Sequence, residues 1–296
     1  APLDKGKINA KEGGVRVPFI ISGPGIQPGI SPDAMVSGLD FYPTILNWTG
    51  TPKPQGQQLD GLDLTPFLKA DKRTRNLIRH SNGKPRDSMV WHFPNSVAMQ
   101  STLRRGNYKL IRNLVEDMIP NRDSLNLYQL YDEAGNRVDI EEANDLSKSK
   151  PALTRDLNEL LQSHLDEMQA SPPFLYPSSP AALPKKNKVC VPLDHGRKGQ
   201  EVWATYKESG ANVVSANLIY TNNGGKRYEE WYRLPASITS DGKVTATLPA
   251  DATHYVFNLI DENHFLVSYP KMKFLKDRSE AFSARAFPIK NSKPAK

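Results

Sequence analysis

Internal disulfides are excluded at once, because the chain has a single cysteine, Cys190, set in the apolar run Val189-Cys190-Val191. An alternating, strand-like setting of that kind predicts a buried and inert thiol. Long apolar runs are also missing. No stretch approaches the roughly eighteen uninterrupted apolar residues of a membrane span, and Ala1 to Glu12 lacks the basic start and apolar core of a signal peptide. Neither a membrane partner nor an address label is expected from these residues. Charge is only mildly one-sided, with 39 Lys and Arg against 32 Asp and Glu giving +7 over 296 residues. No nucleic-acid reader motif accompanies the surplus, so no nucleic-acid partner is expected. A basic balance suits an anionic small molecule instead. Modest clusters at Lys185, Lys186 and Lys188, and at Lys271, Lys273 and Lys276, read as solvated surface.

What is present is ordinary globular composition, 38% hydrophobic and 24% charged, arranged in three zones. The first, 1–70, holds the β-rich run Val15 to Ser22, ended by Gly23-Pro24-Gly25, which predicts one buried strand leaving into a loop. A helix follows from Asp40 to Leu46, stopped by Gly50, Pro52 and Pro54. One such strand buries both faces only inside a larger sheet, so this zone reads as the remainder of an α/β catalytic domain. The second zone, 71–171, has strand candidates at Ser88 to Phe93, Ser101 to Arg112 and Leu125 to Tyr131. They are close enough in sequence for an antiparallel meander. A helix from Pro151 to about Gln169 follows, with Leu153, Leu157, Leu160, Leu161, Leu165 and Met168 forming its core face. Together they predict an α+β subdomain.

A proline-rich stretch, 172–186, reads as a semi-rigid linker. The third zone, 187–290, alternates short strands at Glu201 to Lys207, Val213 to Thr221, Tyr228 to Leu234, Lys243 to Leu248, His254 to Ile260 and Phe265 to Tyr269 with turns such as Asn222-Asn223-Gly224-Gly225 and Asp241-Gly242. That spacing predicts an all-β sandwich. Trp203, Tyr206, Trp231 and Tyr232 within it could stack on a sugar ring, but packing is the favoured role. The tail from Lys290 to Lys296 reads as disordered.

The most informative stretch is Gly6-Lys7-Ile8-Asn9-Ala10-Lys11-Glu12-Gly13-Gly14-Val15-Arg16-Val17-Pro18. The double glycine permits a tight turn, and a lysine five residues before the acidic residue could reach an anion. In order and spacing the stretch resembles the Gly-Lys and Glu-Gly-Gly-x-Arg-x-Pro pattern of the type I, formylglycine-dependent sulfatases, within the alkaline phosphatase superfamily. The similarity continues along the chain. Asp40-Phe41-Tyr42-Pro43-Thr44 is similar to that family's Asp-x-Tyr-Pro-Thr helix, and Leu59-Asp60-Gly61 to its Leu-Asp-Gly loop. Arg104-Arg105-Gly106-Asn107-Tyr108-Lys109-Leu110-Ile111 resembles its Arg-x-Gly-x-Tyr-Lys-Leu-Ile strand, and Leu130-Tyr131-Asp132 with Glu142-Ala143-Asn144-Asp145-Leu146 the segment before its last helix.

The resemblance implies the C-terminal portion of a sulfatase fold and hydrolysis of a sulfate ester, on a sulfated carbohydrate or aryl sulfate. It also implies a formylglycine nucleophile and a calcium ion: Cys190 lacks the Ser-Arg that follows the family's modified cysteine, and the family's calcium ligands are expected outside these residues. By carry-over Lys7 is the lysine that grips a sulfate oxygen. His92, in Trp91-His92-Phe93-Pro94, and Arg105 are the implied substrate-binding residues, while Arg16 and Arg104 read as pairing with carboxylates. A second chain carrying the nucleophile is one implied partner, and periplasmic or secreted location is the family's habit. Two alternatives stand beside this: a non-catalytic carbohydrate-binding or scaffolding protein derived from a sulfatase, and a phosphoester or phosphonate hydrolase of the same superfamily.

Overall fold

A computed structural model describes residues 3–26, 28–29, 34–70, 78–95, 98–117, 123–179, 183–226, 228–271 and 281–289. The expected tail over Lys290–Lys296 and the lysines at 273 and 276 lie outside them. The chain divides into two compact units, Ala1–Ser171 and Pro172–Lys296.

The centre of the first unit is an antiparallel meander of β1 (Ser88–Phe93), β2 (Gln100–Arg105), β3 (Tyr108–Asn113) and β4 (Leu125–Gln129), in that order across the sheet. Arg105 faces Tyr108, so the β2–β3 turn is only Gly106-Asn107, and Gly106 takes the positive φ of 53° that so short a turn needs. A short helix, Leu114–Asp117, follows β3. A longer helix, Pro151–Glu167, starts on a proline, whose missing N–H costs nothing in a first turn.

Alternation along β3 sends its side chains to two different environments. Leu110 joins Leu103, Leu127, Leu157, Leu161 and Leu165 in the cluster between the sheet and the long helix. Lys109 and Ile111 point the other way, and Ile111 packs there with Ala10, Tyr128, Leu130 and Ile140. The N-terminal segment therefore covers the sheet face that the helix leaves open. A lysine at an alternate position of an otherwise apolar strand is thereby buried, at 0% exposure.

The segment holds three further helices: α1 (Glu12–Val15), α2 (Phe41–Thr49) and α3 (Thr65–Lys69). Gly50, with φ 66°, closes α2 in the left-handed conformation. The buried strand expected over Val15 to Ser22 does not form. Val15 ends α1, and Arg16 to Ser22 pair with no strand among the described residues, leaving Val17 81% and Ile20 91% exposed. The run's β propensity has no neighbouring backbone to satisfy, and Pro18 removes one donor. Only Ile21 turns inward, toward Leu64, Leu68 and Ile78.

Helix α2 has two characters. Pro43, Thr44 and Leu46 are buried, whereas Phe41, Tyr42, Ile45 and Trp48 are exposed on the opposite side. Its start is fixed by Asp40, whose carboxylate accepts from the two terminal Arg86 guanidinium nitrogens at 2.8 and 2.6 Å and from the backbone N–H of Ser37 and of Leu62. Gly61 lies so close to the Leu39 carbonyl that any side chain there would collide with it.

The second unit contains two antiparallel sheets. One pairs Val191–Lys198, Glu201–Lys207, Lys243–Thr247 and Ser237–Thr239 in that order, and the other pairs Leu266–Tyr269, His254–Asp261, Val213–Thr221 and Trp231–Pro235, with Phe287–Pro288 added to His254–Asp261. Val202, Ala204, Tyr206 and Val244 of the first share one core with Ala216, Leu218, Tyr255, Phe257 and Leu259 of the second. Strand Val191–Lys198, which precedes the strands expected from sequence, is an edge whose residues are mostly exposed. The proline-rich stretch is tied into this unit at Leu175, which bridges Phe265 and exchanges backbone hydrogen bonds with His264 and Leu266.

Cys190 is 3% exposed in the shared core, and burial pushes its thiol up to about 12. Tyr206 is core. Trp203 lies on the outer side against Gly196, with the Lys243 ammonium 5.3 Å from its ring centre, and the Trp231 indole N–H donates to Glu229. No helix among the described residues is long and apolar enough to cross a membrane.

Candidate functional site

Lys7 sits in the loop 4–9, exposed, and forms no hydrogen bond or ion pair among the described residues. The loop is built on the double glycine. A side-chain carbon on Gly13 would collide with the carbonyls of Asp4 and Lys5, and one on Gly14 with those of Asn9 and Gly6. The backbone around Gly6-Lys7 therefore lies directly on α1, an approach that only glycine permits. Lys5 and Ile8, on either side of Gly6-Lys7, are both left-handed, with φ of 61° and 66°. That conformation is unfavourable for a β-branched side chain and persists only where surrounding contacts impose it.

Those contacts start at Lys11, whose ammonium donates to Asp4 Oδ2 at 2.7 Å and to the Glu142 carbonyl at 3.0 Å, closing the loop across its base. The Ala10 N–H donates to Gln100 Oε1 on β2 at 3.0 Å. Beneath the loop, Glu12, Lys109 and Glu142 are each at most 1% exposed. The Lys109 ammonium lies 2.8 Å from Glu12 Oε1 and 3.1 Å from Glu142 Oε1, and the Glu12 backbone N–H donates to Glu142 Oε2 at 2.6 Å. Arg16 and Arg104 approach the other Glu12 oxygen at 3.4 and 3.9 Å. Arg104 also stacks over the Tyr131 ring, whose hydroxyl accepts from Arg16.

Burial raises the Glu142 carboxyl above its ordinary value, against the opposing pull of Lys109 and the Glu12 N–H. Burial is likewise the main reason that the Tyr128 phenol rises to about 12, reinforced by Asp145, Glu142, Asp139 and Asp4. An open cavity of about 530 Å³ beside the loop is lined by Leu3, Asp4, Lys11, Tyr128, Glu141, Glu142 and Ala143. Its three carboxylates against one ammonium repel an anion, so it does not suit a sulfate group.

The other implied substrate residues are placed apart from this cluster. His92 on β1 has both ring nitrogens engaged, Nδ1 with Ser101 Oγ and Nε2 with the Ser171 carbonyl, each at 2.8 Å. A carbonyl only accepts, so Nε2 carries the proton and Nδ1 accepts from the serine in the neutral ring. Arg105, at the end of β2, is half exposed and pairs with Asp87 at 3.3 Å. Lys109 and Glu142 did not stand out in the sequence as site residues. The available signal was a lysine at an alternate position of the apolar strand Tyr108-Lys109-Leu110-Ile111.

Three of the five sequence motifs meet at this cluster: Glu12 and Arg16 from the first, Arg104 and Lys109 from the strand, Tyr131 and Glu142 from the last. The other two meet at Asp40, Gly61 and Arg86. Over 139 residues, 44% of the chain, the sequence is 30% identical to a protein named sulfatase from Formosa agariphila. It is 35% identical to human steryl-sulfatase over 97 residues, 32% of the chain, and 27% identical to human arylsulfatase K over 232 residues, 77% of the chain.

This chain is a relative of the sulfatases. It spans 21%, 17% and 36% of the lengths of those three proteins, respectively. No family model matches it. Among the described residues of this sulfatase relative, no group of three or more His, Cys, Asp or Glu side chains could hold a metal ion, and Cys190 is a buried thiol far from ionising. The described residues therefore offer no set that fits the calcium ion, and Cys190 does not fit the formylglycine that sulfatases imply.

Proposed function

We propose that this chain forms the C-terminal part of a sulfatase that hydrolyses sulfate esters, of sulfated sugars or aryl alcohols, with nucleophile and calcium carried by residues outside these 296. The observation that carries this reading is Lys7: an exposed ammonium with no partner among the described residues, on a loop that packs against the double glycine above a buried ion cluster. A cation so presented gains most from an anion at the loop surface, where it grips a sulfate oxygen and offsets charge that develops as the ester bond breaks. Arg105, half exposed and held by a surface ion pair with Asp87, can swing to line the substrate wall.

The apolar side of α2 supports the same reading. Phe41, Tyr42, Ile45 and Trp48, with Leu39 just before the helix, are all more than 40% exposed, and Phe41 meets the Phe19 ring at 5.5 Å. A contiguous face of this kind is the sort that a further part of a catalytic domain covers.

The test is turnover of a chromogenic aryl sulfate, with calcium present, by the protein as isolated from its host, after its intact mass has been measured. Lys7→Ala should lower kcat/KM about 10²-fold to 10³-fold, the usual loss on removing one donor to a developing oxyanion. Turnover that ignores Lys7 would sink the site assignment. Binding of a sulfated oligosaccharide without any turnover would favour a carbohydrate-binding protein, and faster cleavage of the aryl phosphate a phosphoesterase.

A further inference from the structure

We infer that the buried Glu12, Lys109 and Glu142 cluster is a positioning device for Lys7, setting where the ammonium stands by locking the base of its loop. The inference rests on the sulfatase reading of Lys7 for its purpose, but its mechanics stand on the geometry of this chain alone. Burying three ions is a poor route to stability, because well-packed apolar residues of similar volume do as well or better. What ions and hydrogen bonds provide instead is a unique register. Glu12 is held twice by Glu142 and Lys109, through its backbone N–H at 2.6 Å and its carboxylate at 2.8 Å.

Glu12 is followed directly by Gly13 and Gly14, whose bare α-carbons support the Asp4, Lys5, Gly6 and Asn9 carbonyls. Fixing Glu12 thus fixes the surface on which Lys7 rides. Glu142 is itself fixed, left-handed at φ 54°, in a turn capped by Asp139, whose carboxylate accepts the N–H groups of Ala143 and Asn144. Contacts therefore run without a break from Lys109 on β3 to Glu142, Glu12 and the glycines. Lys11 then closes the loop from the solvent side. Lys7 has no partner among the described residues, which leaves its ammonium available to something outside the unit.

The experiment compares wild type with Glu12→Gln, Glu142→Gln and the milder Lys11→Met by amide hydrogen exchange over residues 4–10 and by trypsin cleavage after Lys7. Each variant should open the loop about tenfold more readily, equivalent to about 1.4 kcal/mol, while amides of β3, β4 and the long helix keep their protection. Loop opening equal to wild type in all three, or loss of protection in sheet and loop together even in Lys11→Met, would overturn the proposal.

In parallel, aryl sulfate turnover is measured for Lys7→Ala, Glu12→Gln and the double variant. If Glu12 acts through Lys7, the double variant loses no more than Lys7→Ala alone, whereas a general structural role makes the two losses multiply and overturns the inference. Absence of turnover in wild type would count against the sulfatase reading only, since the exchange measurement still decides the mechanics.

Discussion

Asp40 is 0% exposed and keeps its charge because Arg86 meets both of its oxygens and two backbone N–H groups donate to it. Burial alone would raise its carboxyl, but these bonds prevail and hold it below the ordinary 3.8. Glu142 shows the opposite balance, raised above 4.5 because burial outweighs Lys109. The two have opposite pH signatures. Asp40 contributes stability that is present above 3.8 and lost as pH falls through its lowered value, whereas the contribution from Glu142 is full below 4.5 and is lost as pH rises through its raised value. The thermal midpoint of the wild type minus that of Glu142→Gln should therefore fall as pH rises from 4.5. A gap independent of pH would show that Glu142 titrates normally. Arg86→Ala strands a buried carboxylate and should cost about 3–5 kcal/mol in a urea titration at pH 7.

Elements of the first unit are stabilised in two ways. The long helix is held by a leucine stripe, and Leu161, at 0% exposure between the helix and Leu103, Leu110 and Leu127, is its most enclosed member. Leu161→Ala should cost about 2–5 kcal/mol, within the range for buried leucines that leave a cavity. Helix α1 has only four residues and no side-chain cap, far below the length at which a helix holds itself, so tertiary contacts must define it. Gly14→Ala would drive a methyl into the Asn9 carbonyl. It should displace the loop and increase trypsin cleavage after Lys7 while leaving the sheet amides protected, which native-state exchange would check.

At the scale of the whole chain, each unit has its own core, and the first carries an exposed apolar face on α2 and along Val17, Phe19 and Ile20. Uncovered, such a face favours self-association or dye binding. Ile45→Lys with Trp48→Lys should reduce binding of a hydrophobic dye by the isolated chain without lowering its thermal midpoint, since both residues are about half exposed. A fall in the midpoint would mean that the face is already packed within the unit.

The elements bounded by side-chain periodicity were legible without coordinates. The leucine spacing from Leu153 to Leu165 and the alternation through Glu201–Lys207 and Val213–Thr221 specify which side of each element avoids water, and these elements stand where that pattern puts them. The Lys7 loop was legible as a resemblance, and Gly13-Gly14 as a place where side chains are not tolerated. What the sequence could not decide was partnership. Val15 to Ser22 has the propensity of a strand and no strand to pair with among the described residues. Lys109 has the composition of a surface residue and 0% exposure, because carboxylates 97 and 33 positions away close over it. Periodicity is a local property of a chain, whereas ion pairing and ladder formation depend on which distant segments arrive beside a residue, and only the tertiary structure fixes that.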